Sequence, residues 1–200
     1  GRVEPGEQAQ PVAICRLKRV AADNKDDIHQ HLPIPAPSNG KRIACIGAGP
    51  ASLTVARDLA PLGYAVIIFD AEQKPGGFIR SQIPKFRLPE SVIDEEVGYI
   101  LNLGIDFKSG QRIDSMKSLL AGGFDAVFVG SGAPRGRDLD IPGRKEAAAN
   151  IHIGIDWLAS VSFGHIEKIG KRVIVLGGGN TAMDCCLSSR RLGGDDVKVI

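Results

Sequence analysis

The sequence predicts an α/β protein in which largely parallel sheets are covered by helices and preceded by a helical segment. Three observations predict it. From Lys41 onward, short apolar runs of strand character alternate with segments of helical character. Two of those runs end in glycine-rich loops, in IACIGAGPASL (residues 43–53) and RVIVLGGGNTAMD (residues 172–184). The loops belong to a repeat: a shift of 130 positions lays Lys41-Arg42 on Lys171-Arg172, Gly47 on Gly177, Gly49 on Gly179 and Leu62-Gly63 on Leu192-Gly193. Solenoid repeats have far shorter periods, so one supersecondary unit occurs twice.

The elements follow in order. PVAICRLKRVAADNKDDIHQ, residues 11–30, reads as one helix with Pro11 near its start and Val12, Cys15, Val20 and Ala21 on an apolar side. HLPIPAPSNGK then places three prolines between Pro33 and Pro37, a stiff connector, with a domain boundary near Ser38. Strands are expected at 42–46, 65–69, 105–108 and 125–129, and helices at 50–62, 89–101 and 115–120. A connecting helix in NIHIGIDWLASV carries Trp157 as a packing residue. The reading gives a helical segment and linker at 1–38, a first α/β domain at 39–165 and the start of a second at 166–200. The chain opens on Gly1 and stops at Ile200 inside the strand-like DDVKVI, which reads as a fragment of something longer.

With 200 residues and 43% hydrophobic side chains, the chain can bury a sizeable core. Twenty-five basic against twenty-three acidic residues leave a net charge of +2 with no basic stripe, which argues against a nucleic-acid partner. No apolar run approaches the roughly 18 residues of a membrane span and no signal-peptide pattern stands at the start, so a cytoplasmic location is expected. Cysteines 15, 45, 185 and 186 lack CxxC spacing and read as buried structural thiols rather than a zinc site or a thioredoxin-like pair. The four histidines have no ligand spacing, and no metal ligand or catalytic side chain is assigned.

The first loop has the form of a dinucleotide-binding, Rossmann-like turn. Gly47 and Gly49 follow a strand and open a helix, and Asp70 lies 23 positions after Gly47 at the end of the next strand. Gly47 permits the tight turn, and Gly49 with Ala48 lets backbone approach a pyrophosphate. The N–H groups around Pro50, Ala51 and Ser52 stand at the positive end of the helix. Ser52 replaces the third glycine with another small residue. A carboxylate at Asp70 can accept bonds from both ribose hydroxyls and repels a 2'-phosphate. In KPGGFIRSQIPKFRLP, residues 74–89, Gly76, Gly77 and Phe78 let backbone run against a flat ligand, while Arg80, Lys85 and Arg87 supply cations. As a bare feature, Arg87 is a solvated charge, as is Arg190-Arg191.

GAGPAS, FDAEQKPGG, SQIPKFRLP, DAVFVGSGA and VLGGGNTAMDCC, in this order and at these distances, resemble the small subunit of glutamate synthase and the flavin portion of dihydropyrimidine dehydrogenase, over most of residues 11–200. The resemblance implies FAD at the first loop and NADP or NAD at the second, where Gly177, Gly178, Gly179, Asn180 and Thr181 would cradle the pyrophosphate. Asp184 would cap backbone or face solvent. Arg87 matches a family arginine associated with FAD, and Gly130-Ser131-Gly132 matches a turn near the cofactors. PVAICRLKR looks like the tail of a domain holding [4Fe-4S] clusters whose ligands would lie outside this chain. The function implied is hydride transfer from NAD(P)H to FAD, with electrons passed to an iron-sulfur domain or a larger catalytic subunit. Two alternatives stand beside it: a self-contained flavoprotein reductase, weakened by the poor geometry of adjacent Cys185-Cys186, and a non-catalytic nucleotide-binding assembly subunit.

Overall fold

The computed structural model describes residues 12–200. The chain divides into two compact units, Gly1–Leu32 and Pro33–Ile200. In the smaller unit helix α1 spans Ile14–Asp23, shorter than the predicted 11–30; the expected start at Pro11 lies outside the described residues. Asn24 is the C-cap, leaving the helix at φ −119° and ψ 20°, and its side-chain amide joins its backbone N–H on the carbonyl of Val20, at 2.8 and 3.1 Å. Asp27 then accepts from the backbone N–H of His29 at 3.0 Å, ahead of a single 3-10 turn at His29–His31. Short polar side chains that bond their own backbone compete with helix in this way. Cys15 is exposed, against the expectation of a buried thiol.

The larger unit runs β1 (Arg42–Ile46), α2 (Pro50–Leu59), β2 (Ala65–Phe69), α3 (Phe78–Gln82), α4 (Glu90–Leu101), β3 (Asp106–Lys108), α5 (Met116–Ala121), β4 (Ala126–Val129), α6 (Gly154–Ser162), β5 (Arg172–Val175), α7 (Asn180–Arg191) and β6 (Asp196–Val199). Every strand pairing is parallel, in one sheet ordered β3-β2-β1-β4 and a second of β5 and β6. The α/β class with two parallel sheets is therefore the architecture of the chain. The predicted helix 50–62 is α2 followed by a 3-10 turn at Ala60–Leu62, because Pro61 has no N–H to extend the α ladder. Helix α3 was hidden in the sequence: five residues between Gly77 and Ile83 are too few to show a period.

β1 lies at the centre of its sheet, so Ile43, Ala44 and Cys45 are all buried rather than alternating. They pack with Val66 and Ile68 of β2, Leu53 and Ala56 of α2, and Ile93 and Val97 of α4 to make the main core. The proline-rich connector lies against the turn after α2: Ala36 N–H donates to Pro61 at 2.9 Å and Asn39 N–H to Gly63 at 3.0 Å. A second, smaller core joins Trp157 and Leu158 of α6 to Cys185 of α7, with Val161, Ile166, Ile169, Val175 and Leu192 around it. Beside it Ile174, Leu176 and Ile200 are left 64%, 55% and 73% exposed.

Candidate functional site

In a sheet ordered β3-β2-β1-β4 the chain reverses direction of progress between β1 and β4, and the carboxyl ends of those strands frame a crevice suited to a ligand. The first glycine loop sits there. Gly47 has φ +91°, and its N–H donates to the carbonyl of Phe69 at 2.7 Å. A Cβ on Gly47 would lie 2.6 Å from the carbonyl oxygen of Gly130, so the turn after β4 crosses this glycine directly. Gly49 is the N-cap of α2, with φ −79° and ψ 177°. Pro50 at the first helical position has no N–H, which leaves the amides of Ala51 and Ser52 as unpaired donors of the opening turn.

Asp70 and Ala48 lock the loop. One carboxylate oxygen accepts the N–H of Ala48 at 2.5 Å, and the other accepts the N–H of Glu72 at 2.8 Å. The carbonyl of Ala48 accepts the N–H of Gly76 at 2.8 Å. Ala48 therefore shapes the loop from a fully buried position, with both backbone groups bonded internally. Gly77, at φ +53° and ψ −134°, lies so close that a Cβ there would come within 2.7 Å of Gly49 Cα. Ser52 is fully buried, and its hydroxyl has no hydrogen-bond partner. A Cβ on Gly130 would meet that hydroxyl at 2.2 Å. Glycines that let three backbone segments converge, beside helix-end amides and an orphaned hydroxyl, fit a pyrophosphate-bearing dinucleotide.

The segment that follows differs from its sequence reading. Arg80 is almost wholly buried; its Nε donates to the Pro75 carbonyl at 2.6 Å, and its Nη atoms lie 2.6 Å from Asp94 and 3.3 Å from Glu90. Lys74 and Lys85 also pair with Glu90, at 2.8 and 3.2 Å, and their bonds hold its carboxyl down to about 2. Arg80 and Lys85 thus neutralise α4 rather than awaiting a ligand. Phe78 stays on the surface at the start of α3, 41% exposed. The acid pair at Glu90 and Asp94, one helical turn apart, was the available signal for this network.

The second loop repeats the first. Gly177 has φ +121°, and Gly179 caps α7 at φ −83° and ψ 177°. The N–H of Gly177 donates to Ile200 at 2.7 Å, as Gly47 does to Phe69. The registers differ by one residue: Arg42 pairs with Ala65, 23 positions on, whereas Arg172 pairs with Asp196, 24 on. Ile200 is therefore the structural counterpart of Phe69, one position short of the Asp70 equivalent. The surroundings also differ, for Gly178 and Gly179 face open space and Asn180 and Thr181 are exposed.

Beyond that loop α7 is buried through Ala182, Asp184, Cys185, Ser188 and Ser189. Asp184, expected to cap backbone or face solvent, does neither. It is 6% exposed, and both its oxygens lie 2.6 Å from Nη1 of Arg87. The Cys185 thiol lies 3.7 Å from the carbonyl of Gly154, and burial, reinforced by the Asp184 charge, pushes it up to about 11. Burial also pushes Cys45 up to about 11. Neither thiol is poised for disulfide exchange. Among the described residues no helix is long and apolar enough to cross a membrane.

A model of the family described as pyridine nucleotide-disulphide oxidoreductase matches residues 41–200. The chain is 33% identical over 195 residues to the NAD-dependent dihydropyrimidine dehydrogenase subunit PreT homolog of Salmonella typhi, covering 96% of this chain and 46% of that protein. It is 36% identical over 196 residues to the beta subunit of the NADPH-Fe(3+) oxidoreductase of Geobacter sulfurreducens, covering 94% and 29%. Glutamate synthase [NADH] of Schizosaccharomyces pombe is 32% identical over 203 residues, covering 94% and 10%. The chain thus spans less than half the length of these relatives. Mycobacterium tuberculosis FprA in complex with NADPH shares the fold, with a TM-score of 0.65 at 22% identity over 82% of this chain and 43% of that one.

Proposed function

Because the chain belongs to the pyridine nucleotide-disulphide oxidoreductase family, we propose that it is the flavin module of an NAD(P)H-dependent oxidoreductase, with FAD at the first loop and NADPH or NADH at the second. The observation that carries this reading is the pairing of two loops of one geometry, Gly49 at φ −79°, ψ 177° and Gly179 at φ −83°, ψ 177°, each between a parallel strand and a helix. The first is roofed by Gly76, Gly77 and Gly130 and suits a resident cofactor.

Gly47, Ala48 and Gly49 would shape the FAD loop, Ala51 and Ser52 would donate to its pyrophosphate behind Pro50, and Asp70 would accept from ribose. Gly76, Gly77 and Phe78 would flank the same ligand. Gly177, Gly178, Gly179, Asn180 and Thr181 would hold the nicotinamide dinucleotide. Bound FAD supplies the ring that takes up hydride, so the chain's task is orientation and electrostatics. Relatives named as subunits of redox enzymes support an electron acceptor on a partner subunit or domain; the resemblance to glutamate synthase points to an iron-sulfur domain or a larger catalytic subunit in that role, and a cytoplasmic setting belongs to the same proposal. Any [4Fe-4S] ligands would lie on such a partner or on chain outside these residues. The domain division at 39–165 and 166–200 then separates the two dinucleotide units. Denaturing the purified chain is expected to release FAD, absorbing near 450 nm; recovery of NAD instead, or no flavin retained after reconstitution with FAD, would overturn the reading.

A further inference from the structure

Between Pro84 and Leu88 the chain makes a tight turn, in which the Pro84 carbonyl accepts the N–H groups of Arg87 and Leu88 at 2.8 and 3.1 Å. Two neighbouring side chains of this turn engage α7. Nη1 of Arg87 sits 2.6 Å from both oxygens of Asp184, and the guanidinium of Arg191 lies 3.7 Å over the ring of Phe86. Asp184 and Arg191 are seven residues, two helical turns, apart and so share one face of α7. The contacts differ in kind, one an ion pair on a buried carboxylate and the other a cation over an aromatic face. A further restraint on the adjoining face of α7 comes from α6, where Gly154 packs against Thr181 and Cys185.

We propose that Phe86 and Arg87 form a two-point clamp that fixes the direction of α7, and with it the second glycine loop, relative to the first; the purpose of the clamp rests on the hydride-transfer reading above. The connection is physically continuous. Gly49 touches Gly77, Gly77 caps α3, α3 leads into the Pro84 turn, and Arg87 grips Asp184 one helical turn beyond Asn180. Arg87 and Phe86 are positioning residues. Hydride transfer needs reacting atoms about 3–3.5 Å apart, and a shift of about 1 Å can cost on the order of 100-fold in rate. A carboxylate as buried as Asp184 holds Arg87 firmly, because separation would strand its charge.

The test has two arms, using R87Q, D184N, the double variant, F86L and R87K. In the first, amide exchange is measured without any dinucleotide. Residues 183–188, the first hydrogen-bonded amides of α7, are expected to exchange at least fivefold faster in R87Q and D184N, no faster again in the double variant, and at the unaltered rate in residues 42–70. Unchanged exchange at 183–188, or an equal rise at 42–70, would overturn the clamp. In the second arm, each FAD-loaded chain is excited at Trp157, which packs on α7 through Cys185. Energy transfer to the flavin is expected to fall in R87Q and F86L and to return in R87K, whose ammonium can meet the same two oxygens that one Arg nitrogen meets now. Identical transfer in all variants would show that the turn does not set the loop's direction. Failure of the unaltered chain to retain flavin would overturn the proposed function, and loss of flavin confined to R87Q and R87K would place Arg87 on the cofactor and overturn its positioning role, while the exchange arm judges the clamp without any flavin.

Discussion

At Asp70 the carboxylate accepts two backbone N–H bonds, from Ala48 and Glu72, before any ribose hydroxyl is considered. In Asp70→Asn one of those acceptors becomes an amide that faces another donor, and the charge that strengthens a ribose bond is lost. Bonds to charged groups contribute about 1.5–3 kcal/mol, so FAD affinity is expected to fall at least tenfold; titration by flavin fluorescence measures it, and an unchanged dissociation constant would leave Asp70 a purely structural residue. Gly77→Ala combines φ +53° with a Cβ 2.7 Å from Gly49 Cα. Backbone strain of this kind costs about 1–3 kcal/mol, so its Tm should drop by several degrees, whereas Gly178→Ala, with open space around it, should leave Tm nearly unchanged. Gly47 and Asp70 were legible because their reasons are local: a tight turn and a strand end. Asp184 was not, since its partner Arg87 lies 97 positions away and only folding brings them together.

Among the elements, the strands were the most legible, because short β-branched runs bounded by glycine have few other readings. Helix α1 was over-read, for Asn24 and Asp27 divert the backbone that apolar periodicity would have carried to residue 30. The start of α4 makes a pH-dependent contribution. Glu90 is held at about 2, below its ordinary 4.5, first by Lys74 and then by Lys85. A depressed carboxyl stabilises the fold at pH above about 4.5, and that contribution is lost as pH falls from there through about 2. Melting followed between pH 5 and 2.5 is therefore expected to show a steeper loss for the unaltered chain than for Glu90→Gln, which starts less stable and has no such carboxyl to protonate. Parallel slopes would show that the lysines add nothing to folding.

For the whole molecule, the repeat at 130 positions made two strand-loop-helix units legible, and the shared geometry of Gly49 and Gly179 repeats it in three dimensions. The roof over the first loop was not legible, since it comes from Gly77 and Gly130, which no local pattern ties to Gly47. The cores are unequal. Trp157, the single tryptophan, reports on the smaller one, whose fully buried members are Trp157, Leu158 and Cys185. Urea unfolding followed by its emission should have a lower midpoint than the same transition followed by far-ultraviolet circular dichroism, and coincident curves would show one cooperative unit. Strands β5 and β6 each pair on one side alone, and around them Ile174, Leu176 and Ile200 meet water. Such a surface sets the colloidal behaviour of the chain. An unpaired, β-branched edge is a template for lateral growth, so concentrated solutions should scatter light on warming before the larger sheet melts, and a lysine at position 174 should delay the turbidity.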